Sequence, residues 1–338
     1  MTLHGIGPGK KRTCVGSLIN HVQFPNSWRN PILPGYGTFP APFVSSNVNA
    51  EQVARGFQVH IERALSIGYR HIDTAYAYRN QDLVGAAIRA QGMPRQDVFV
   101  TSKLHPSNNS YREASLKIKQ AIRLMWGEDA GRLGHYLDAF LIHYPGLGNP
   151  IEAWKALIAA RKEGLVRHVG VSNFEIRHLE KLHERTGESA EINQIEFHPF
   201  IYVEQSELLD FCNTRCIAVE GYSPLAEGQA LNDENLRAIA NEHNTSPARI
   251  ALRWSMQHGV RPIVGTRSPA HLRENAEPYN FTLSAEEMLR IDSLGRTKPV
   301  RVSLRWNWNP KSAPLGSSKW RSWFGSLPRR IRRVLRGG

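Results

Sequence analysis

Short apolar stretches rich in β-branched residues alternate along the chain with longer amphipathic stretches. Eight short stretches fall in the central part of the 338-residue chain and have the length and composition of strands. They predict strands at 33–39, 70–74, 98–103, 138–143, 167–172, 191–197, 216–222 and 261–266. The stretches between them have apolar residues at helical spacing. They predict helices that include 52–66, 111–125, 151–163, 176–185 and 232–243.

Continuous apolar strands separated by amphipathic helices favour a parallel sheet. Eight such strands in roughly 260 residues match a (β/α)₈ TIM barrel in number and size. The rival plan is a doubly wound sheet with a glycine-rich dinucleotide fingerprint. The nearest match to that fingerprint, at residues 5–9, lacks the third glycine, precedes every predicted strand and carries Pro8 where a helix would begin. We therefore predict a single (β/α)₈ barrel at residues 31–295, preceded by a flexible extension at 1–30.

The net charge of +13 is concentrated at the two ends of the chain. All 30 acidic residues lie between Glu51 and Asp292, whereas residues 1–50 contain four lysines or arginines and residues 296–338 contain twelve. The part between them has a net charge of −3. The basic composition of the whole chain is therefore no argument for a nucleic-acid surface on the barrel. It defines a basic C-terminal extension at residues 296–338.

Cysteine content and hydropathy both favour a soluble protein of the cytoplasm. No apolar run reaches the roughly 18 residues of a membrane span. Cys14, Cys212 and Cys216 have no metal-ligand spacing, so we predict inert thiols in a reducing compartment and no metal site. Residues 1–30 lack acidic residues, as organelle transit segments do, but they show no clear amphipathic pattern.

Three predicted strands end in ionisable residues, which are Asp73, Lys103 and His143, and Tyr78 follows Asp73 by five positions. The carboxyl ends of parallel barrel strands meet at one face, so we expect these side chains to lie close together. Reduction of a carbonyl needs a hydride on carbon and a proton on oxygen. Tyr78 can give the proton, the Lys103 ammonium can lower the pKa of the phenol, Asp73 can hold the ammonium, and His143 can orient the carbonyl oxygen.

Taken alone, each of these four residues favours a structural role. Asp73 suits a helix cap, Tyr78 a surface aromatic, Lys103 a solvated charge and His143 a satisfied buried histidine. Their joint occurrence at successive strand ends favours the chemical interpretation.

The same residues carry a family resemblance. The segment 68–78, with Gly-Tyr-Arg before Ile72-Asp73-Thr-Ala and Tyr78 at its end, resembles the signature of the aldo-keto reductase family, and the lysine and histidine strands follow in the family order. Segments 169–174, 193–199 and 222–225 resemble its G-V-S-N, N-Q-x-E-x-H-P and Y-S-P-L motifs. The resemblance covers residues 31–295 and implies reduction of aldehydes and ketones with NADPH or NADH.

The resemblance also implies roles for individual residues. The catalytic residues it implies are Asp73, Tyr78, Lys103 and His143. The cofactor contacts it implies are Thr38, Asp73, Ser172, Asn173, Gln194, Tyr222, Ser223, Leu225, Thr266, Arg267, Glu274 and Asn275. The substrate contacts it implies are Phe39, His143 and Tyr144, with Phe39 and Tyr144 at positions where the family usually has tryptophan.

The segment expected to bind the adenosine half departs from the family pattern. Gly265 and His271 stand where the family has a lysine and an arginine that pair with the 2′-phosphate of NADPH. Arg267 and Arg273 lie nearby and can replace them, because a guanidinium binds phosphate well. We expect NADPH, and NADH stays open.

The C-terminal extension admits several interpretations. Trp306 and Trp308 are expected to line the substrate pocket, because the family closes that pocket with its C-terminal loop. Residues 311–338 fit a solvated tail, a helix on an anionic membrane surface, or a contact with nucleic acid or an acidic partner. We expect a monomeric enzyme acting on a small carbonyl compound. The alternative is a non-catalytic, cofactor-binding barrel that acts as an interaction subunit through this tail, and alcohol oxidation as the working direction also stays open.

Overall fold

The eight predicted strands form a closed barrel in the computed structural model of this chain, which describes residues 33–39, 50–105, 110–128, 135–145, 149–277 and 279–303. Every strand is parallel to its neighbours in chain order, and the last strand pairs with the first. The strands are β1 Gly35–Gly37, β2 His71–Asp73, β3 Phe99–Leu104, β4 Leu137–Ile142, β5 Val166–Ser172, β6 Ile192–Glu196, β7 Ala218–Tyr222 and β8 Val260–Val264. The predicted (β/α)₈ barrel is confirmed.

Helices follow the strands and pack around the barrel. Among the described residues they are α1 Ala50–Ile67, α2 Gln81–Ala90, α3 Tyr111–Trp126, α4 Pro150–Lys162, α5 Ile176–Thr186, α6 Tyr202–Thr214, α7 Glu234–Glu242, α8 Pro247–Gln257, α9 Pro269–Ala276, α10 Ala285–Asp292 and α11 Leu294–Thr297. The five helices predicted from periodicity agree with the observed helices to within two residues at each end. The main apolar core lies between the strands and these helices.

Several helices begin at a serine that caps their free backbone N–H groups. Ser110, Ser246 and Ser268 each accept a hydrogen bond from the N–H three residues later, at 3.2, 3.4 and 3.4 Å. Ser284 and Glu287 bond each other's backbone N–H groups in a capping box. Such caps stabilise a helix start by about 1 kcal/mol each, which explains why the helices begin at these positions.

The interior of the barrel contains an apolar cluster and several buried polar side chains. Phe99, Ala139, Leu141 and Ile192 form a small buried cluster inside the barrel. Because alternate residues of a strand point the same way, Lys103 faces the interior from β3 as Phe99 does, but at the carboxyl end of the strand. Lys103 thus lies at the barrel face where active sites of this fold are found.

The first residues of the C-terminal extension return to the carboxyl end of β6. The Val300 N–H donates to the Phe200 carbonyl at 3.2 Å. The buried Glu196 carboxylate accepts the backbone N–H groups of Val302 and of Ser303, the latter at 2.9 Å. The extension is therefore attached to the barrel at the carboxyl face. The predicted pocket residues Trp306 and Trp308, and the tail 311–338, lie outside the described residues.

The cysteines agree with the prediction in one case and differ in another. Cys212 is a free, buried thiol. Cys216 is disulfide-bonded, so the prediction of inert thiols is wrong for it. The cytoplasmic location stays a prediction. One argument for it was that all the cysteines are free thiols, and the disulfide of Cys216 removes that argument. Within the described part of the chain, none of the helices combines the length and the apolar character needed to cross a membrane.

Gly85 is where α2 and α3 approach most closely, and it provides a stability test. A Cβ at Gly85 would lie 2.0 Å from the Met125 carbonyl oxygen, whereas one at Gly56 in α1 meets nothing within 4 Å. We expect Gly85→Ala to destabilise the protein by about 1–3 kcal/mol or more, because the backbone of α3 must move. Gly56→Ala should stabilise it by about 0.5–1 kcal/mol through helix propensity. Urea unfolding of both variants checks this, and equal effects would contradict the packing argument.

Candidate active site

A buried ion pair joins the ends of β2 and β3. The Lys103 ammonium donates to both oxygens of the Asp73 carboxylate, at 2.6 and 2.7 Å, and to the Thr74 carbonyl at 3.1 Å. Lys103 is 0% exposed and Asp73 is 3% exposed. A charge buried this deeply is stable only with such partners, since leaving either group unpaired would cost several kcal/mol. The sequence prediction that Asp73 and Lys103 come together is therefore confirmed.

Tyr78 lies beside this ion pair, at the end of the short 3₁₀ turn Tyr76–Tyr78 that follows β2. The Lys103 ammonium is 3.5 Å from the Tyr78 hydroxyl and 5.0 Å from the centre of its ring. The turn is closed by Arg79, whose φ of 54° lies in the left-handed region. This reversal directs the chain from the barrel mouth into α2 and leaves the phenol over the strand ends.

The pKa of Tyr78 is raised well above its usual value, chiefly by burial and also by the nearby Asp73 carboxylate. This differs from the prediction that Lys103 lowers the pKa. The physical reason is that the Lys103 charge is balanced by Asp73 at two short contacts, while its distance to the phenol is longer. At neutral pH the phenol is therefore protonated, which is the form that a proton donor requires.

His143 completes the set from the end of β4. Its ring meets the Tyr78 ring edge-on, with 5.8 Å between ring centres. Burial lowers the pKa of His143 well below its usual range, and the Lys103 charge adds to this. The imidazole is therefore neutral and has one N–H to donate. Its Nδ1 atom is buried and has no hydrogen-bond partner in the described structure.

The rings of Tyr78 and His143 continue into an aromatic wall. Phe39 packs on Tyr78 with 5.0 Å between ring centres, and Tyr144 stacks on His143 at 4.5 Å and 11°. Both residues were predicted to contact substrate, and the structure brings them against the two ionisable rings. The phenol therefore packs against the aromatic rings of Phe39 and His143.

Polar side chains from β5, β6 and β7 form a connected network next to the phenol. The Asn173 side-chain amide donates to the His143 carbonyl at 3.1 Å and to the Ser172 hydroxyl at 3.0 Å. Its oxygen accepts from the Tyr222 hydroxyl at 2.8 Å. The Gln194 amide lies in the same group, with its nitrogen 2.8 Å from Asp73. The four residues predicted to contact the nicotinamide half of a cofactor are therefore neighbours.

The residues predicted to bind the adenosine half follow β8. The Thr266 carbonyl accepts from Tyr36 at 3.3 Å, and Ser268 begins α9. Arg267 is exposed, Glu274 is half-buried, and Asn275 is buried with its carbonyl bonded to Tyr279. These residues lie on the loop after β8 and on the helix α9 that follows it. The remaining predicted contacts, Thr38, Ser223 and Leu225, follow β1 and β7 at the same face.

Sequence reasoning missed a second group of buried charges inside the barrel. Glu220 is 1% exposed, and its carboxylate lies 3.7 Å from His71 Nε2. Arg261 is the strand neighbour of Glu220 on β8 and is 7% exposed. The available signal was a single charged residue within each of two short apolar strands, at 218–222 and 260–264. A charge in such a position needs a partner inside the barrel.

The unused polar atoms of the site fit a dinucleotide cofactor of the nicotinamide type. Thr38 Oγ1 and His143 Nδ1 are buried without a partner in the described residues. Gly265 lets the chain after β8 approach the chain after β1 closely, since a Cβ at Gly265 would lie 3.2 Å from the Phe39 carbonyl oxygen. Among the described residues no cluster of histidine, cysteine and carboxylate side chains could hold a metal ion.

Known proteins share this sequence and this barrel. The sequence model of the Aldo/keto reductase family matches residues 35–296. The chain is 38% identical to the glyoxal reductase of Bacillus subtilis over 71% of this chain and 84% of that protein. It is 36% identical to the methylglyoxal reductase DkgA of Yersinia pestis over 70% and 83%. The crystal structure of an aldo/keto reductase from Brucella melitensis superposes with a TM-score of 0.68, at 35% identity over 77% and 93%. This chain belongs to the aldo/keto reductase family.

Proposed function

We propose that this protein reduces small aldehydes and ketones to alcohols with a reduced nicotinamide dinucleotide, with Tyr78 as the proton donor. The observation that carries the proposal is the contact of Lys103 with both Asp73 and Tyr78 inside the barrel mouth. This arrangement holds a neutral phenol next to a fixed positive charge. The aromatic rings of Phe39 and His143 pack against the phenol, and Tyr144 stacks on His143.

The residues of the site divide the proton chemistry between them. When bound, the cofactor supplies the hydride that adds to the carbonyl carbon. The Tyr78 O–H bond breaks, and its proton goes to the carbonyl oxygen as that oxygen gains negative charge. Lys103 stabilises the resulting phenolate by its charge, and Asp73 keeps Lys103 in place. The neutral His143 donates its single N–H to the same carbonyl oxygen and orients the substrate.

The proposed substrates are short carbonyl compounds such as methylglyoxal and glyoxal. Two relatives carry names that state reduction of these compounds. In this chain Phe39, Tyr78, His143 and Tyr144 form closely spaced aromatic faces. Such a wall suits a small planar dicarbonyl, because the rings exclude water without offering many polar groups.

We also propose NADPH as the preferred cofactor. Arg267 is exposed on the loop after β8, close enough to Tyr36 and His60 for its charge to affect both of their pKa values. A free guanidinium at that place can bind a 2′-phosphate in bidentate geometry. Arg273, on α9, is the second candidate for the same contact.

Replacement of the Tyr78 hydroxyl tests the proton-donor role. We expect Tyr78→Phe to lower kcat for methylglyoxal by about 10²–10⁴-fold, because general acid catalysis is removed. The Kd for NADPH should stay nearly unchanged, since the ring remains. The matched control is Tyr76→Phe in the same turn, whose hydroxyl accepts only from Lys117 at 3.1 Å.

Steady-state kinetics of both variants, followed by the absorbance of the reduced nicotinamide, test the proton-donor role of Tyr78. An equal loss of kcat in the two variants would contradict the assigned role. If the unaltered protein binds NADPH tightly but reduces no aldehyde or ketone, the alternative of a non-catalytic interaction subunit is favoured instead.

The raised pKa of Tyr78 predicts how the rate depends on pH. The neutral phenol is the acid for reduction, so kcat at saturating NADPH should stay constant from about pH 7 to about pH 9.5. It should fall only when the pH exceeds the raised pKa. Alcohol oxidation needs the phenolate, whose fraction rises about tenfold per pH unit below the pKa, so that rate should climb throughout this range. A fall of the reduction rate centred between pH 7 and pH 9 would contradict the assignment.

Arg267→Ala and Arg273→Ala test the cofactor preference. We expect Arg267→Ala to weaken NADPH binding by about tenfold or more, because a charged hydrogen bond to phosphate contributes about 1.5–3 kcal/mol. NADH lacks the 2′-phosphate and serves as the control ligand, so its Kd should change little. Fluorescence titration gives both constants. Equal weakening of NADPH and NADH binding in Arg267→Ala would show that Arg267 does not bind the phosphate.

A further inference from the structure

The side-chain amide of Gln194 bridges two buried carboxylates. Its nitrogen donates one hydrogen to Asp73 Oδ2 at 2.8 Å and the other to Glu220 Oε2, also at 2.8 Å. Gln194 is 2% exposed, Asp73 is 3% exposed and Glu220 is 1% exposed. Of the two carboxylates, only Asp73 belongs to the proton-transfer set described above. The role of Glu220 in this arrangement is unassigned.

Glu220 is held in place from several strands. His71 on β2 lies 3.7 Å from its Oε1 atom, and Arg261 is its neighbour on β8. Asp73 on β2 and Lys103 on β3 act on it electrostatically with opposite signs. Burial and the Asp73 charge raise the pKa of Glu220 to about 7. In either protonation state, however, the carboxyl keeps an oxygen that accepts the Gln194 N–H.

Both hydrogens of the Gln194 nitrogen are thus used in hydrogen bonds to Asp73 and Glu220. An amide side chain has two N–H donors and one carbonyl acceptor, so only the oxygen remains for a ligand. This oxygen has no hydrogen-bond partner among the described residues. Unlike the unpaired atoms Thr38 Oγ1 and His143 Nδ1, it is not fully buried. Gln194 therefore faces a ligand as an acceptor.

We propose that Glu220 is a positioning residue that makes Gln194 an acceptor-only contact, and that it thereby selects a carboxamide over an acetyl group on the cofactor ring. The inference rests on the proposed function, because it assumes that the nicotinamide ring lies beside Gln194. A carboxamide presents an NH₂ group that Gln194 can bond. An acetyl group presents a methyl in its place, and the Gln194 oxygen then loses its bond without a substitute.

Removal of Glu220 should relax this selection. Without it, the amide nitrogen keeps only its bond to Asp73, and the planar amide can rotate as a unit and present this nitrogen to the carbonyl oxygen of either ring substituent. Glu220→Met removes the acceptor at similar side-chain length. Glu220→Gln keeps an acceptor oxygen and is the matched control, so it should preserve the selection.

The test compares two reduced cofactors that differ only in that ring substituent. Equilibrium Kd values for NADPH and for reduced 3-acetylpyridine adenine dinucleotide phosphate are measured by quenching of tryptophan fluorescence. We expect the unaltered protein to prefer NADPH by roughly 2-fold to 10-fold, the range for one hydrogen bond. The ratio should approach 1 in Glu220→Met and stay near its original value in Glu220→Gln. A general loss of affinity or stability cancels in this ratio, and Glu220→Ala replaces Glu220→Met if the latter is not recovered folded.

A second background shows whether Glu220 acts through Gln194. In Gln194→Met the preference should already be lost, and adding Glu220→Met should change the ratio no further. The proposal is overturned if Glu220→Met keeps the original ratio, if Glu220→Gln loses it as Glu220→Met does, or if Glu220→Met changes the ratio equally in the Gln194→Met background. If the unaltered protein binds neither reduced dinucleotide, the proposed function fails and this inference fails with it. Binding without selection refutes the inference alone.

Discussion

The contact of Lys103 with Asp73 is the constraint on which the rest of the site depends. Two opposite charges taken out of water are stable only if every remaining donor and acceptor is satisfied. The parallel pairing of β2 with β3 supplies that condition, since it places Asp73 opposite Thr101, two residues before Lys103. The Thr74 carbonyl and the Gln194 amide then take the remaining hydrogen-bond positions. A shift of one residue between these strands would turn Lys103 away from the interior.

The same constraint explains why several buried polar side chains lie together inside the barrel. Each buried charge requires a hydrogen-bond partner. Gln194 donates to both Asp73 and Glu220, so the three side chains form one hydrogen-bonded chain. The chain is rigid because its members come from different strands of a closed sheet. Phe99 and the small apolar cluster around it lie in the same interior, with the His71 and His168 ring centres 5.0 and 6.2 Å from that of Phe99. Catalytic geometry and fold stability therefore share one network rather than two.

The sequence predicted the barrel and the proximity of Asp73, Tyr78, Lys103 and His143, because both depend on local patterns. Strand and helix periods repeat eight times, and a charged residue at a strand end is visible without knowing its neighbours. The partner of Glu220 was not predictable in this way, since Gln194 lies 26 positions away and its amide orientation depends on two strands at once. The direction of the Tyr78 pKa was mispredicted for a related reason. Proximity to Lys103 was inferred correctly, but the balance between burial, Asp73 and Lys103 requires distances.

The backbone just after several strands and turns of the site adopts a left-handed conformation. Arg79, Asn173 and Ser223 have positive φ values of 54°, 63° and 52°, in a region that residues with a Cβ rarely adopt. Each adjoins a residue of the site, and each reverses the chain just after a strand or turn that carries one. Such conformations cost about 1–3 kcal/mol each and persist where the surrounding structure holds them. At Asn173 the restraint is visible, because its side chain is bonded to His143, Ser172 and Tyr222 at once. The strain at the barrel mouth is therefore held by the same hydrogen bonds that arrange the polar groups for a ligand.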